Sequence, residues 1–250
     1  MVKPDKALVR RRFARSLKTY AEHALVQRAT AERLLFELRT AHGEKFPRIF
    51  EIGCGAGTLS KMLCRQLKYR KLYLNDLVDE CSVVAARIRR CSFIGGDVEN
   101  ISGFPDDLDL ITSNATFQWL EQLPDTLDKL ADSLGPDGVL AFSTFGPHNA
   151  AEIADITGKR LGYLAEKELK EAVGRRFNIT CFHENIRKLR FAHPMDVLRH
   201  LKYTGVAAIS SEVWTKSSLQ SFVESYIERS GEDGITLTYH PMVVIATKSV

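Results

Sequence analysis

The stretch Arg48-Ile49-Phe50-Glu51-Ile52-Gly53-Cys54-Gly55-Ala56-Gly57 constrains this chain more than any other. A short apolar run closed by Glu51 reads as a buried strand. Gly53, Gly55 and Gly57 behind it permit a tight turn, with backbone drawn close to a ligand. A parallel-sheet domain receives a nucleoside-containing cofactor at such a loop. The spacing narrows which kind. A dinucleotide fingerprint needs its third glycine three residues after the second, and Thr58 stands there. The glycines fall instead at every second position behind an acidic residue.

The flanking pattern predicts an α/β protein. Apolar residues Val9, Phe13, Leu17 and Ala24, then Ala31, Leu34, Leu35 and Leu38, recur at helical spacing, which predicts one or two N-terminal helices ending near Gly43. Strands over 48–52, 71–74, 92–95, 108–113 and 139–145 are interleaved with helices over 58–67, 79–90 and 124–134, and Gly135-Pro136-Asp137-Gly138 reads as a turn. That alternation predicts a doubly wound, Rossmann-like parallel sheet. Helices over 150–161 and 166–174 and a strand over 178–184 follow. Residues 185–234 far exceed the ~2 to 6 residues of an ordinary sheet connection. They read as a helical lid over the carboxyl edge of the sheet, inserted before a final strand pair near 237–247. The expected division is an N-terminal helical cap (1–45), a cofactor-binding core (46–184), the lid (185–234) and a C-terminal strand completing the core sheet (235–250).

Composition excludes several classes. A chain that is 44% hydrophobic and 26% charged is ordinary for a soluble domain. No apolar run approaches the ~18 residues of a membrane span, and the charged N-terminus does not resemble a secretory signal. A cytoplasmic location is the default. Five cysteines without a C-x-x-C pair predict reduced packing thiols and no metal site. The net charge of +4 is concentrated at the N-terminus, where Lys3, Lys6, Arg10, Arg11, Arg12, Arg15 and Lys18 face Asp5 alone. Such an end favours an acidic partner. Basic stripes interleaved with aromatics are missing elsewhere, so nucleic acid is not the expected partner.

Ligands of open α/β sheets bind outside the carboxyl ends of the strands, and four polar residues stand at those ends: Glu51, Asp76, Asp97 and Asn114. With the glycine loop, this ordered set resembles class I S-adenosyl-L-methionine (SAM) methyltransferases. The resemblance implies that Glu51 faces the methionine ammonium, and that Asp76, with Leu77 beside it, accepts the ribose hydroxyls. It also implies that Asp97 and the Val98 amide read the adenine, and that Asn114 lies by the methionine portion.

The acceptor is a separate question. Ser113-Asn114-Ala115-Thr116-Phe117 lacks the Pro-Pro-aromatic sequence of enzymes that methylate exocyclic base amines. None of the seven histidines occupies a position that suggests a general base. The acceptor is therefore expected to arrive ionised at neutral pH, which a carboxylate with a pKa near ~4 does. Arg199 adjoins the stripe Met195, Leu198 and Leu201, and a planar guanidinium suits bidentate carboxylate binding.

Phe13-Ala14-Arg15-Ser16 with Tyr20, His23-Ala24 and Gln27, Asn114 with Gln118-Trp119, Leu198 to Lys202 with Gly205, and Leu237-Thr238-Tyr239-His240 are similar to the malonyl-acyl-carrier-protein O-methyltransferases. The likeness spans nearly the whole chain. It implies methyl esterification of the free malonyl carboxylate on acyl carrier protein or coenzyme A, at the start of biotin synthesis, with the acidic carrier protein as a transient partner. It further implies that Tyr20 and Gln27 close over SAM. Arg199 would hold the malonyl carboxylate, with Lys202, Tyr20 and Trp119 on the substrate side. The basic N-terminus or Arg187, Lys188 and Arg190 would meet the carrier. Alternatives are a methyltransferase acting on another acid, a quinone precursor or a lipid, a silent SAM-binding subunit, and an RNA methyltransferase using the basic end.

Overall fold

The computed structural model describes residues 3–101, 103–205 and 215–249. Two helices come first, α1 (Lys6–His23) and α2 (Leu25–His42). Asp5 caps α1, its carboxylate accepting the Leu8 amide at 3.0 Å. The helices part at Ala24, which leaves helical geometry at φ −82°, ψ 51° with neither glycine nor proline to mark the break.

The alternating part runs β1 (Arg48–Ile52), α3 (Thr58–Gln66), β2 (Lys71–Asp76), a 3₁₀ turn at Asp79–Cys81, α4 (Ser82–Ala85), β3 (Cys91–Gly95), β4 (Leu108–Asn114), a 3₁₀ turn at Phe117–Trp119, α5 (Leu123–Ser133) and β5 (Leu134–Phe145). Then come α6 (Ala151–Thr157), α7 (Glu166–Gly174), β6 (Phe177–Glu184), β7 (Arg187–Phe191), α8 (Pro194–Tyr203), α9 (Lys216–Arg229), β8 (Ile235–Tyr239) and β9 (Pro241–Lys248). Seven strands form one sheet in the order β3-β2-β1-β4-β5-β9-β6. Strands β1 to β5 are parallel, and β9 runs antiparallel to both of its neighbours. The order reverses between β1 and β4, which is where a crevice opens beyond the carboxyl ends.

Successive side chains on a strand point to opposite faces, so an all-apolar strand buries both. Ile49, Leu110, Ala141 and Ile245 pack on one face with Leu34, Leu35 and Leu38 of α2. Phe50, Ile111, Phe142 and Val244 pack on the other with Leu130 of α5 and Val173 of α7. Helix α2 is thus a sheet-covering helix, and α1 alone caps the carboxyl edge.

Several sequence expectations change. The helix expected over 79–90 shortens to the Asp79–Cys81 turn and α4, because the amides of Arg87 and Ile88 tighten onto carbonyls three residues back, those of Val84 and Ala85. Gly135 to Gly138 does not separate helix from strand. Leu134 pairs with Leu108 and Val139 with Leu110, so the residues between them bulge outward within one strand. The segment expected as a helical lid contains α8 and α9 but also β7, which pairs antiparallel with β8 in a sheet of its own. Only β9 then completes the core sheet, and residues 206–214 of that segment lie outside the described residues. Val26, Phe145, Val197, Leu201, Phe222, Leu237 and Tyr239 form a third apolar cluster under this unit. No helix among the described residues is long and apolar enough to cross a membrane.

Candidate active site

The loop after β1 is shaped by backbone. Gly53 has φ +72°, and a Cβ there would lie 2.1 Å from Thr116 Oγ1. Gly55, at φ +50°, has nothing within 4 Å of where a Cβ would stand, so its backbone faces open space. Asp76 at the end of β2 ties the loop down: Oδ2 accepts the Gly55 amide at 2.7 Å and Oδ1 accepts the Val78 amide at 2.9 Å. Burial nonetheless raises the Asp76 pKa above the usual carboxylate range.

These residues open into a cleft of about 1000 Å³, mouth included. Glu51, Gly53, Gly55, Asp76, Leu77, Asp97, Val98 and Asn114 all line it, under a roof formed by Val9, Phe13, Leu17 and Tyr20 of α1. Glu51 is almost wholly buried, and burial pushes its carboxyl up to about 8, with the charge of Asp76 adding to the shift. Its Oε2 has no partner. Burial, with Asp76 nearby, raises the Tyr20 phenol as well.

A smaller chamber adjoins the cleft, with Phe13, Tyr20, Ala115 and Trp119 walling both. Its further lining is Gln27, Gln118, Phe145, Asn149, Tyr163 and Tyr239. Asn149 Nδ2 donates to the Tyr163 hydroxyl at 2.9 Å, and the Tyr239 hydroxyl stands 2.8 Å from His200 Nε2. Burial pushes Tyr163 up to about 12 and raises Tyr239, so both are neutral hydroxyls at pH 7. Trp119 Nε1, Gln27 Oε1 and Gln118 Oε1 are buried without partners. With Glu51 Oε2, these four unpaired atoms belong to residues lining the two cavities: Glu51 in the cleft, Trp119 on the shared wall, and Gln27 and Gln118 in the chamber. In the cleft, the unpaired Glu51 oxygen and the carboxylates of Asp76 and Asp97 are acceptors, and the open backbone at Gly55 leaves room for a ligand to lie close. SAM, with its ammonium, ribose hydroxyls and adenine amine, fits this acceptor set.

Two residues that the sequence did not assign to the cofactor site shape the same cleft. Lys6 Nζ binds Asp97 Oδ2 at 2.5 Å and also reaches the Glu99 carboxylate. Glu99, itself buried, accepts the Glu121 amide at 3.0 Å and the Gln122 amide at 2.5 Å, at the start of α5. Arg10 pairs with Asp79. Ion pairs thus hold α1 down across the cleft. The only sequence signal was the uneven N-terminal charge.

These contacts place four of the expected site residues. Asn114 reaches the cleft, but its side chain is engaged: Nδ2 donates to the Gln27 carbonyl at 3.1 Å and Oδ1 accepts from Ser143 Oγ at 2.8 Å. It fastens α2 to β4. Gln27 lines the smaller chamber and not the cofactor cleft. Arg199 and Lys202 are exposed and line neither cavity, and Arg199 pairs with Asp196 on its own helix at 2.5 Å. The inward stripe of α8 centres on the buried Val197 and Leu201, with Leu198 half-buried beside them; Arg199 turns outward.

Cys54, Cys81 and Asp76 stand buried within 4.8 Å of one another beneath the cleft. Hydrogen bonding with Cys81 and burial raise the Cys54 thiol, which holds it neutral.

Residues 20–205 match the family described as "Methyltransferase domain". The chain is 39% identical to the malonyl-[acyl-carrier protein] O-methyltransferase of Calditerrivibrio nitroreducens over 92% of each protein. It is 37% identical to that of Bacteroides thetaiotaomicron over 98% of each. Among solved structures, the N-methyltransferase NodS of Bradyrhizobium japonicum in complex with S-adenosyl-L-homocysteine superposes with a TM-score of 0.54 at 14% identity, over 93% of this chain and 99% of that one. At that distance the likeness is one of fold. With near-complete coverage by the curated relatives, the chain belongs to the malonyl-[acyl-carrier protein] O-methyltransferase family of class I methyltransferases.

Proposed function

We propose that the chain transfers the methyl group of SAM to the free carboxylate of malonyl-acyl carrier protein, giving the methyl ester and S-adenosyl-L-homocysteine as an early, cytoplasmic step of biotin synthesis. The chemistry of the smaller chamber carries this reading. Among the described residues its lining holds no carboxylate, amine, imidazole or guanidinium, and the His200 imidazole stands behind the Tyr239 hydroxyl, so no base touches an acceptor there directly. An alcohol would need a base, and an alkyl amine arrives protonated. A carboxylate is already a nucleophile at pH 7.

When bound, SAM supplies a methyl group on a positively charged sulfur. Glu51 would answer the ammonium, Asp76 the ribose hydroxyls, and Asp97 with the Val98 amide the adenine; Leu77 packs beside them. Every other task is positioning and exclusion of water. Transfer consumes two opposite charges, so surroundings that solvate separated charge poorly favour the neutral ester. Phe13, Trp119 and Phe145 provide them. Neutral donors can orient the acceptor without quenching it. Because Asn149 already donates to the Tyr163 oxygen, the Tyr163 proton is free to be given into the chamber, and the Trp119 N–H is a second donor. Tyr20, on the wall common to both cavities, sits where acceptor and methyl group would meet.

The test is transfer of label from methyl-labelled SAM to malonyl-acyl carrier protein, with acetyl-acyl carrier protein beside it. The expected outcome is a base-labile methyl ester on the malonyl form alone. Equal labelling of the acetyl form would exclude the carboxylate as target.

A further inference from the structure

We propose that the outward faces of α1 and α8, carrying Arg11, Arg15, Lys18, Arg199 and Lys202, form the docking surface for the acidic carrier protein. The inference rests on the substrate reading above and adds the place of contact.

Five cations of α1 fall on two opposite sides. Lys6 and Arg10 lean toward the sheet and are neutralised by Asp97, Glu99 and Asp79. Arg11, Arg15 and Lys18 recur at helical spacing on the opposite side, are exposed, and make no ion pair among the described residues. Arg11 and Arg15 flank Arg12, and after burial their charges depress it. Of the acids of this helix and its cap, Asp5 is spent on the Leu8 amide, which leaves Glu22.

Helix α8 lies against α1. Thr19 Oγ1 donates to the Tyr203 carbonyl at 3.2 Å, the His23 and Tyr203 rings stack at 4.5 Å, and a Cβ at Gly205 would stand 2.9 Å from Ser16 Oγ. Later residues of α8 meet earlier ones of α1, so the helices are antiparallel. Arg15 precedes Thr19 by one turn and Arg199 precedes Tyr203 by one turn, so each arginine shares the face of its helix that meets the seam. The corrected placement of Arg199 and Lys202 thereby gains a use: they extend the stripe begun by Arg11.

The face also lies at a workable distance. The inner side of α1 carries Phe13 and Tyr20, which wall the acceptor chamber. Only the ~10–12 Å diameter of one helix separates the basic stripe from the reaction space. A thioester on a flexible arm must span about that much. Single-stranded RNA would look for free aromatic platforms on the same surface; here Phe13 and Tyr20 turn inward, and the half-buried His23 and Tyr203 rings stack on each other.

The test compares wild type, R11E/R15E/K18E and R199E/K202E in two measurements. One is binding of fluorescently labelled malonyl-acyl carrier protein by anisotropy across a salt series; the other is steady-state methylation of the same carrier. The expected result is a loss of carrier affinity on the order of tenfold or more at low salt, shrinking as salt rises, with kcat at saturating carrier and SAM affinity unchanged for R11E/R15E/K18E. Wild-type carrier affinity in both variants, or absence of carrier binding by wild type, overturns the proposal. So does binding of a labelled single-stranded RNA that the reversals abolish while carrier affinity stays the same. If wild type binds carrier through these residues but transfers no methyl group, the substrate reading fails and the docking face stands.

Discussion

The cofactor cleft and the acceptor chamber share a wall but are built on opposite plans. The cleft is made by consecutive strand ends of one parallel sheet, and its decisive contacts are backbone: the turn at Gly53, the Gly55 and Val78 amides on Asp76, the open main chain at Gly55. The chamber is made by side chains gathered from α1, α2, the Phe117–Trp119 turn, the segment around Tyr163 and strand β8. The cleft contains acids; the described lining of the chamber contains none. One plan holds a fixed cofactor, and the other leaves room to change the acceptor by exchanging side chains on an unchanged sheet.

That contrast is open to attack. The largest effect is expected for Asp76→Ala, which strips the loop of its two amide acceptors: SAM affinity by calorimetry should fall at least a hundredfold, about 3 kcal/mol for charge-assisted hydrogen bonds lost. Retained affinity would mean that the glycine backbone alone makes the cleft. Next comes Gly53→Ala, where the positive φ and the clash with Thr116 Oγ1 should cost about 1 to 3 kcal/mol in denaturant unfolding and weaken SAM. Tyr163→Phe and Trp119→Phe should act on the other plan, lowering kcat/KM for the carrier on the order of tenfold each while SAM affinity stays within twofold. Loss of SAM binding in either variant would dissolve the division.

A further effect is one of pH. With Glu51 raised to about 8 from a reference of 4.5, the ligand-free fold binds an extra proton between those values. Stability from this group is present below the lower value and is lost as pH rises through the upper one. The Tm of ligand-free protein should therefore fall from pH 5 to 8.5, and Glu51→Gln should flatten the fall. Binding of the SAM ammonium should release a proton from Glu51 at pH 7, read by calorimetry as heats that vary with the ionisation enthalpy of the buffer; the Gln variant should lose that component.

The two plans also differ in how much of each was visible before the structure. Glu51, Asp76 and Asp97 were legible because strand ends are local features, and a strand end fixes where its next side chain stands. Lys6, Glu99, Asn149 and Tyr163 were not, because their meaning lies in contacts between distant segments: Lys6 and Glu99 are 93 positions apart. The side assigned to Arg199 failed for a smaller reason. On a ten-residue helix with apolar residues at 195, 197, 198 and 201, two stripes are equally periodic, and only packing against Leu237 and Tyr239 chooses Val197 and Leu201. The alternation of parallel strands and helices was foreseeable up to β5; that β8 leaves the sheet to pair with β7 depends on neighbours no window of sequence contains.

Strand β9 begins only at Pro241, yet it lies between β5 and β6 inside the sheet. During synthesis the cofactor half, complete by residue 145, can assemble while the ribosome is still at work. Strand β6 must wait as a loose edge, with the acceptor half unclosed, until the chain has extended past Lys248 and beyond the exit tunnel. The order of strands thus lets the nucleoside side assemble before the acceptor side can close, and the interval between β6 and β9 is the one most open to misassembly and proteolysis.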